Sequence, residues 1–169
     1  GLVVGPQSAG AMPGPVCYGR GGIQPTVTDA HLVLGHLPEG LLDGSFALDR
    51  AAAERAIGEK IAAPLGLSVE EAARGILDIV DNTMLGAIRV VSVERGHDPR
   101  DFALVPFGGA GPLHGGALSR LIGCPVQIVP PAPGVLSALG LLASSLRAEF
   151  SRSCVQRGGR FDLDRVASV

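Results

Sequence analysis

The chain has 169 residues, of which 46% are hydrophobic, 18% charged and 4% aromatic. That length can bury one ordinary hydrophobic core, and the composition is typical of a folded α/β protein, which excludes a disordered chain. The net charge of −2 and the scattered Lys and Arg residues argue against binding to nucleic acid or to an anionic membrane surface. No apolar run is long enough to span a membrane.

The three cysteines, Cys17, Cys124 and Cys154, are widely spaced and form no CxxC pair. An odd number without metal-ligand spacing argues against a disulfide framework and against a zinc site. We therefore predict reduced thiols, a cytoplasmic protein and no bound structural metal. Gly1 stands where an initiator Met would, and no basic signal-peptide segment follows, so we expect the sequence to begin inside a longer protein.

The first half of the chain predicts a loop followed by helices. Residues 1–25 are dense in Gly and Pro, which indicates a structured loop if they belong to a site and a linker if they do not. Asp49 is placed to cap a helix over residues 50–63, which Pro64 and Gly66 end.

The longest predicted helix covers about residues 69–95. Ser68 and Glu71 have the capping-box spacing at its start, and Gly96 fits the position just after its end. Its apolar residues have few polar interruptions, so we expect this helix to be buried on more than one side.

The second half predicts alternating strands and helices. The pattern is a strand, a glycine-rich loop, a helix, a strand and a small-residue helix, at residues 102–107, 108–112, 113–122, 125–129 and 134–146. Strand–helix–strand order with short loops predicts a parallel sheet edge with a right-handed crossover.

The loop Gly108-Gly109-Ala110-Gly111 lets the backbone approach a ligand, and its free N–H groups at a helix start favour an anion or a flat polar ring. It lacks the Gly-Lys-Ser/Thr of a Walker A loop and the GxGxxG spacing of a dinucleotide site. Taken alone, such a turn more often serves tight packing than a ligand. The small residues of the last helix, at 134, 137, 138, 140 and 143, favour close approach or sliding of a second helix.

These elements together resemble the closing segment of the actin/Hsp70/sugar-kinase superfamily. The sequence motifs themselves are similar to those of the hydantoinase A/5-oxoprolinase family. The similarity lies in three stretches that together span roughly residues 3–150: Gly5–Gly22 with Pro25–Ala30 after it, Phe107–His114, and Pro130–Leu142. The resemblance implies one α/β lobe of an actin-like ATPase, with a parallel or mixed sheet flanked by helices. It assigns residues 1–150 to the C-terminal part of the hydantoinase A domain and 151–169 to the start of a following segment.

The resemblance implies an ATP- and Mg²⁺-dependent hydrolase that opens a cyclic amide, such as a hydantoin or 5-oxoproline, by phosphorylating the amide oxygen. It also implies a hydantoinase B-type partner subunit or domain. Two alternatives stay open: an activating subunit of a ketone carboxylase, and a noncatalytic nucleotide-gated module like actin or Hsp70. The family's Asp-Gly-Gly-Thr phosphate motif is absent from this sequence, so we expect the chain alone to be inactive.

Each candidate site residue has a structural alternative. His114 could face phosphate or substrate, or be a packed first-turn histidine; Asp29 could bind Mg²⁺ through water, or cap a helix over residues 30–34. Asn82 and the neighbouring Asp81 could meet the nucleotide or lie on a capped or solvated helix face. Arg20 could clamp an anion or lie on a surface loop.

Cys17 is expected to be a buried, inert thiol. We predict catalytic roles for His114 and Asp29, nucleotide binding by Gly108, Gly109, Ala110, Gly111 and Asn82, and substrate binding by Arg20. The remaining histidines have no ligand spacing and receive no role: His31, His36 and His97.

Overall fold

The structure is a computed structural model that describes residues 1–149, 151 and 153. Most of the predicted following segment, 151–169, lies outside these described residues, as does Cys154. The chain up to Ser137 forms one compact unit, and Ala138 begins a second. The predicted domain boundary at residue 150 stays a prediction.

The Gly- and Pro-rich start of the chain is an ordered loop, which contains the 3-10 helix Val16–Tyr18. It leads into helix α1, Val27–Val33, whose N-cap residue Thr26 forms a capping box with Asp29. The capping box gives two backbone N–H groups a side-chain acceptor, which explains why the helix begins at Val27, three residues before the helix over residues 30–34 that was considered from the sequence.

A short hairpin separates α1 from the next helices. Its strands β1 (Gly40–Leu41) and β2 (Phe46–Ala47) pair antiparallel, with Leu41 opposite Phe46. Asp49 then caps the helical run predicted for residues 50–63, since its side chain accepts from the N–H of Ala52. The run comprises α2 (Arg50–Ile57), a π-helical turn (Gly58–Ala62) and α3 (Ala63–Leu65).

Helix α4, Val69–Val91, is the longest element. Ser68 and Glu71 form the predicted capping box, and a 3-10 turn, Val93–Arg95, extends the helix to Gly96, whose left-handed backbone (φ 83°) ends it. The helix and both of its ends are therefore confirmed.

Burial of α4 on more than one side is not confirmed: in its first half one face is buried, whereas Glu70, Arg74 and Asp78 on the other side are exposed. Ala72 and Ile76 are buried, whereas Val90 and Val91 are 50% and 58% exposed. The second half of α4 has the predicted apolar residues, but no other described part of the chain packs over Val90 and Val91.

The main core lies where α1, α2 and α4 pack together. Its members are small and branched aliphatic side chains together with one thiol: Cys17, Ala30, Leu32, Val33, Leu48, Ala53, Ile57, Ala62, Ala72, Ala73, Ile76 and Leu77. Arg50 strengthens the contact between α1 and α2, because its guanidinium donates to the carbonyl of Val33 at 2.8 Å.

The predicted strand–helix–strand unit is present, with a parallel pair of strands. Strand β3 (Ala103–Leu104) and strand β4 (Val126–Gln127) flank helix α5, Gly111–Ile122. The strands are shorter than predicted because the N–H of Phe102 is used in a 3-10 turn and Pro106 has no N–H for the ladder. The mixed α/β fold class is confirmed.

The last described helix, α6, covers Leu136–Ala143 after a 3-10 turn at Pro133–Val135. It is shorter than the predicted 134–146. Within the second unit, Leu139, Leu141 and Leu142 are 58%, 77% and 85% exposed. No helix among the described residues is both long and apolar enough to cross a membrane.

Candidate functional site

The glycine loop lies between β3 and α5 with its backbone open to solvent. Gly108 has a left-handed backbone (φ 86°), and its N–H donates to the carbonyl of Pro133 at 2.9 Å. Gly109 and Ala110 are exposed, and a Cβ built on Gly108 or Gly109 would meet no atom within 4 Å. The loop therefore offers backbone groups to a ligand without any side chain in the way.

Helix α5 begins at the end of this loop and packs closely on the strand behind it. Gly111 and Pro112 are its first residues. A Cβ on Gly115 would lie 2.8 Å from Cγ of Pro106 and 2.8 Å from Nε2 of Gln127, so only glycine permits this approach. The packing fixes the position of the loop relative to the parallel strand pair.

His114 is buried, and both of its ring nitrogens have partners. Its Nδ1 lies 2.6 Å from Oδ1 of Asp81 in α4, and its Nε2 lies 3.3 Å from Nε2 of His31 in α1. The Nδ1 of His31 in turn lies 3.0 Å from Nδ1 of His36, which is exposed just beyond α1. We call these four residues the histidine line.

The middle of the histidine line stays uncharged at neutral pH. His31 is 2% exposed. Burial, and then the neighbouring His114 and His36, lower the pKa of His31 to about 4.

Neither His31 nor His36 was assigned a role from the sequence. His31 and His114 are 83 positions apart and Asp81 and His114 are 33 apart, so no local spacing announces the line.

Asp29 is fully buried, and its carboxylate accepts four hydrogen bonds. The donors are the backbone N–H groups of Val16, Cys17 and Thr26 and the hydroxyl of Thr26, at 2.8–3.2 Å. The carboxylate therefore holds the Gly- and Pro-rich loop onto the start of α1. Asp29 therefore lies inside α1 as the reciprocal partner of the N-cap residue Thr26, so the alternative that it caps a helix over residues 30–34 is wrong in position. The predicted catalytic role of Asp29 stays a prediction.

Cys17, beside Asp29, is the buried and inert thiol that we expected. Burial, followed by the hydrogen bond and the charge of Asp29, raises the pKa of Cys17 to about 12, so the nucleophilic thiolate is suppressed.

Arg20 and Asn82 both lie on the surface. The guanidinium of Arg20 lies 4.9 Å from the ring centroid of Phe46 and 5.9 Å from that of Tyr18, a cation–π arrangement that leaves its N–H groups accessible. The amide of Asn82 donates to the backbone carbonyl of Asp78 at 2.7 Å. The structure thus joins His114 to the glycine loop through α5, whereas Arg20 lies in the N-terminal loop and Asp29 in the first turn of α1.

Two cavities occur among the described residues, of about 430 and 620 Å³. The first lies between the second half of α4 and the end of α5, and the second lies within the N-terminal loop. Neither is lined by a predicted site residue. Within the same described part of the chain, no group of three or more His, Cys, Asp or Glu side chains could hold a metal ion.

The sequence profile of the hydantoinase/oxoprolinase family matches residues 1–150. The chain belongs to this family. It is 55% identical over 147 residues to caprolactamase subunit alpha of Pseudomonas jessenii, covering 86% of this chain and 21% of that subunit. It is 51% identical over 140 residues to the acetophenone carboxylase gamma subunit of Aromatoleum aromaticum, covering 82% and 19%.

The fold agrees with a solved member of the family. The crystal structure of the ATP-dependent caprolactamase from Pseudomonas jessenii superposes with a TM-score of 0.75 at 56% identity, over 80% of this chain and 20% of that one. The chain thus spans about a fifth of the length of these hydantoinase/oxoprolinase relatives.

Proposed function

We propose that this chain is part of an ATP-dependent hydrolase subunit that opens a cyclic amide. The observation that carries the proposal is 55% identity to a caprolactamase subunit across 147 residues, because a lactam is itself a cyclic amide. The open glycine loop at the start of α5 supplies a matching local geometry. A hydantoin or 5-oxoproline is a substrate of the same chemical class.

The glycine loop fits the adenosine side of ATP. Gly108 and Gly109 have open space where a side chain would be. Helix α5 begins at Gly111, directly after them, so the positive end of its dipole suits a polar or anionic ligand. In the proposed arrangement the backbone of Gly108, Gly109, Ala110 and Gly111 contacts the nucleotide. ATP would supply the phosphoryl group that turns the amide oxygen into a better leaving group.

The other predicted roles remain part of the proposal. Arg20 has free N–H groups that suit a carboxylate substrate, and the exposed Asn82 could reach the nucleotide by releasing the carbonyl of Asp78. The proposed catalytic role of His114 is exerted from the first turn of α5, where the side chain is hydrogen-bonded to Asp81 and His31. Mg²⁺ accompanies the ATP phosphates, and we assign it no ligand because both carboxylate oxygens of Asp29 already accept hydrogen bonds.

Activation of a ketone for carboxylation is the second candidate function, and 51% identity to an acetophenone carboxylase subunit favours it. Both reactions need a phosphorylated oxygen, and they differ in what attacks next. Phosphate release that depends on a lactam or hydantoin supports the hydrolase, whereas phosphate release that needs a ketone and bicarbonate supports the carboxylase. ATP-dependent conformational change without either product would support a noncatalytic nucleotide-gated module.

The nucleotide assignment is tested by Gly109→Val in the whole subunit. Gly109 is outside the left-handed region and has no atom within 4 Å of its Cβ position, so the chain itself tolerates a side chain there. We expect ATP binding measured by calorimetry to weaken at least tenfold, about 1.4 kcal/mol. Gly86→Val is the matched control, since Gly86 in α4 has equally open space. Equal ATP affinity in both variants would contradict the assignment.

We propose that the 169-residue chain is inactive by itself. The whole subunit is proposed to work in the cytoplasm, together with a hydantoinase B-type partner. Relatives named as subunits support a partner, and the free thiols of Cys17 and Cys124 support a reducing compartment. If the purified 169-residue chain hydrolyses ATP, and Gly109→Val abolishes this hydrolysis, the proposal that the chain alone is inactive is contradicted.

A further inference from the structure

The histidine line connects the protein surface with a buried carboxylate. His36 is exposed at one end, while His31, His114 and Asp81 are 2%, 5% and 6% exposed. The four side chains come from α1, the turn after it, α5 and α4, so the line crosses three packed helices. Burying three polar side chains disfavours folding unless their hydrogen bonds are all made.

The direction of every hydrogen bond in the line follows when Asp81 is a carboxylate and all three imidazoles are neutral. Asp81 as a carboxylate only accepts, so Nδ1 of His114 must carry its proton. Its Nε2 then accepts from Nε2–H of His31, and Nδ1 of His31 accepts from Nδ1–H of His36. One carboxylate therefore sets the tautomers of three imidazoles, and the free Nε2 of His36 is left toward solvent.

We propose that Asp81, His114, His31 and His36 form a proton-relay site that exchanges a proton between solvent and Asp81. A proton binds to Nε2 of His36, whose Nδ1 proton moves to Nδ1 of His31. The Nε2 proton of His31 moves to Nε2 of His114, and the Nδ1 proton of His114 moves to the carboxylate. One proton enters and Asp81 becomes a neutral acid; each imidazole gains and loses one proton, and the reverse shift restores the first state.

The geometry meets the conditions of a relay. Each inner imidazole must be neutral, so that it can accept at one nitrogen and donate at the other, and the low pKa of His31 keeps it so. Both nitrogens of His31 and of His114 are engaged within the line, and among the described residues this group does not have metal-binding geometry. Three imidazoles in series, each able to accept at one nitrogen and donate at the other, form a continuous path for a proton.

The relay goes beyond the proposed function, since it needs neither ATP nor an amide. His114 lies three residues after Gly111, so the relay is built into the first turn of the helix that follows the glycine loop. It offers the proposed reaction a buried acid or base at Asp81 that re-equilibrates with solvent through His36.

Imidazole tautomers test the direction of the line. In the whole subunit labelled with ¹⁵N-histidine, NMR at neutral pH should find Nδ1–H on His36, although an exposed histidine ordinarily favours Nε2–H. Asp81→Asn should return His36 to Nε2–H across two intervening rings. Asp78→Asn is the matched control, one turn earlier and exposed on the same helix. Wild-type His36 with Nε2–H would overturn the proposal, even if Asp81→Asn fails to fold.

Proton exchange tests the transfer itself. His36→Phe removes both ring nitrogens while keeping a ring at the surface. The exchange of the His31 and His114 ring N–H protons with water should then slow about a hundredfold or more, the lower end of the effect that a positioned proton carrier has on a rate. Free imidazole should restore fast exchange in His36→Ala, where the gap admits it. His97→Phe, another exposed histidine outside the line, should change nothing.

The outcomes separate this proposal from the proposed function. Unchanged exchange in both His36 variants would overturn the relay and leave the ATP-dependent activity standing. The predicted tautomers and exchange in a subunit that turns over no lactam, hydantoin or ketone would support the relay and contradict the proposed function.

Discussion

Asp29 shows how one residue shapes the N-terminal loop. Its carboxylate accepts from the loop at Val16 and Cys17 and from the helix cap at Thr26. A glycine-rich segment loses much conformational entropy when it becomes ordered, so hydrogen bonds that link it to a helix are needed to hold it in one conformation. The hydrogen bonds of Asp29 thus explain why the Gly- and Pro-rich residues next to it form a structured loop and not a linker.

We predict that Asp29→Asn lowers the free energy of unfolding by about 1–3 kcal/mol, because an amide keeps one acceptor and turns an NH₂ group toward backbone donors. Asp49→Asn should be nearly neutral, since Asp49 is an exposed N-cap where Asn serves equally well. Melting temperatures of the two variants of the whole subunit provide the measurement. Equal melting temperatures would mean that the Asp29 hydrogen bonds contribute little.

The lowered pKa of His31 predicts that the free energy of unfolding decreases in acid. Its pKa is about 6.5 when unfolded and about 4 when folded, so the folded state binds fewer protons between these values. The stabilising contribution is complete above pH 6.5 and is lost as the pH falls toward 4, by up to about 3 kcal/mol. His31→Gln should flatten the melting temperature between pH 7 and 4, whereas His97→Gln should keep the wild-type slope. A slope unchanged by His31→Gln would contradict the prediction.

At the scale of elements, the sequence predicted what local signals control. The capping box at Ser68 and the left-handed Gly96 were predicted, and they mark the start of α4 and the end of the turn that follows it. The capping box at Thr26, which starts α1 at Val27, was missed, because Asp29 was considered only as the cap of a helix over residues 30–34. Strand length and the exposure of Val90 could not be predicted, since both depend on which other elements pack nearby. The histidine line was missed for the same reason, because its members meet only after folding.

Helix α5 offers two neighbouring glycines in opposite environments. Gly115→Ala should destabilise the fold by about 1–3 kcal/mol, because its Cβ would lie 2.8 Å from the rigid ring of Pro106. Gly116→Ala should stabilise it by up to about 1 kcal/mol, since only Nη1 of Arg120 is near, at 3.7 Å, and alanine favours helix. Melting temperatures that shift in opposite directions would support close packing of α5 on the strand pair. Shifts of the same sign would contradict it.

At the scale of the whole molecule, the chain is a fifth of the length of its relatives, and its uncovered apolar surface is consistent with contacts made in a longer protein. The exposed leucines of α6, at 139, 141 and 142, are the clearest case. The small residue Ala138 directly precedes these leucines in sequence. Gly140 lies between two of them, and a Cβ on Gly140 would meet nothing within 4 Å. The expected role of this helix, sliding against a partner helix as an ATP cleft closes, stays a prediction.

Ala138→Leu in the whole subunit separates sliding from static packing. If α6 slides during closure, added bulk should reduce turnover and ATP-induced compaction, measured by small-angle scattering, with little loss of melting temperature. If α6 is static core, overpacking costs about 1–3 kcal/mol, and melting temperature falls first while the folded enzyme works normally. We expect the first pattern, because the described residues leave Ala138 exposed and a small side chain there serves no packing that the structure shows. Leu139→Ala provides the opposite control, since it removes bulk from the same exposed helix and should leave closure free.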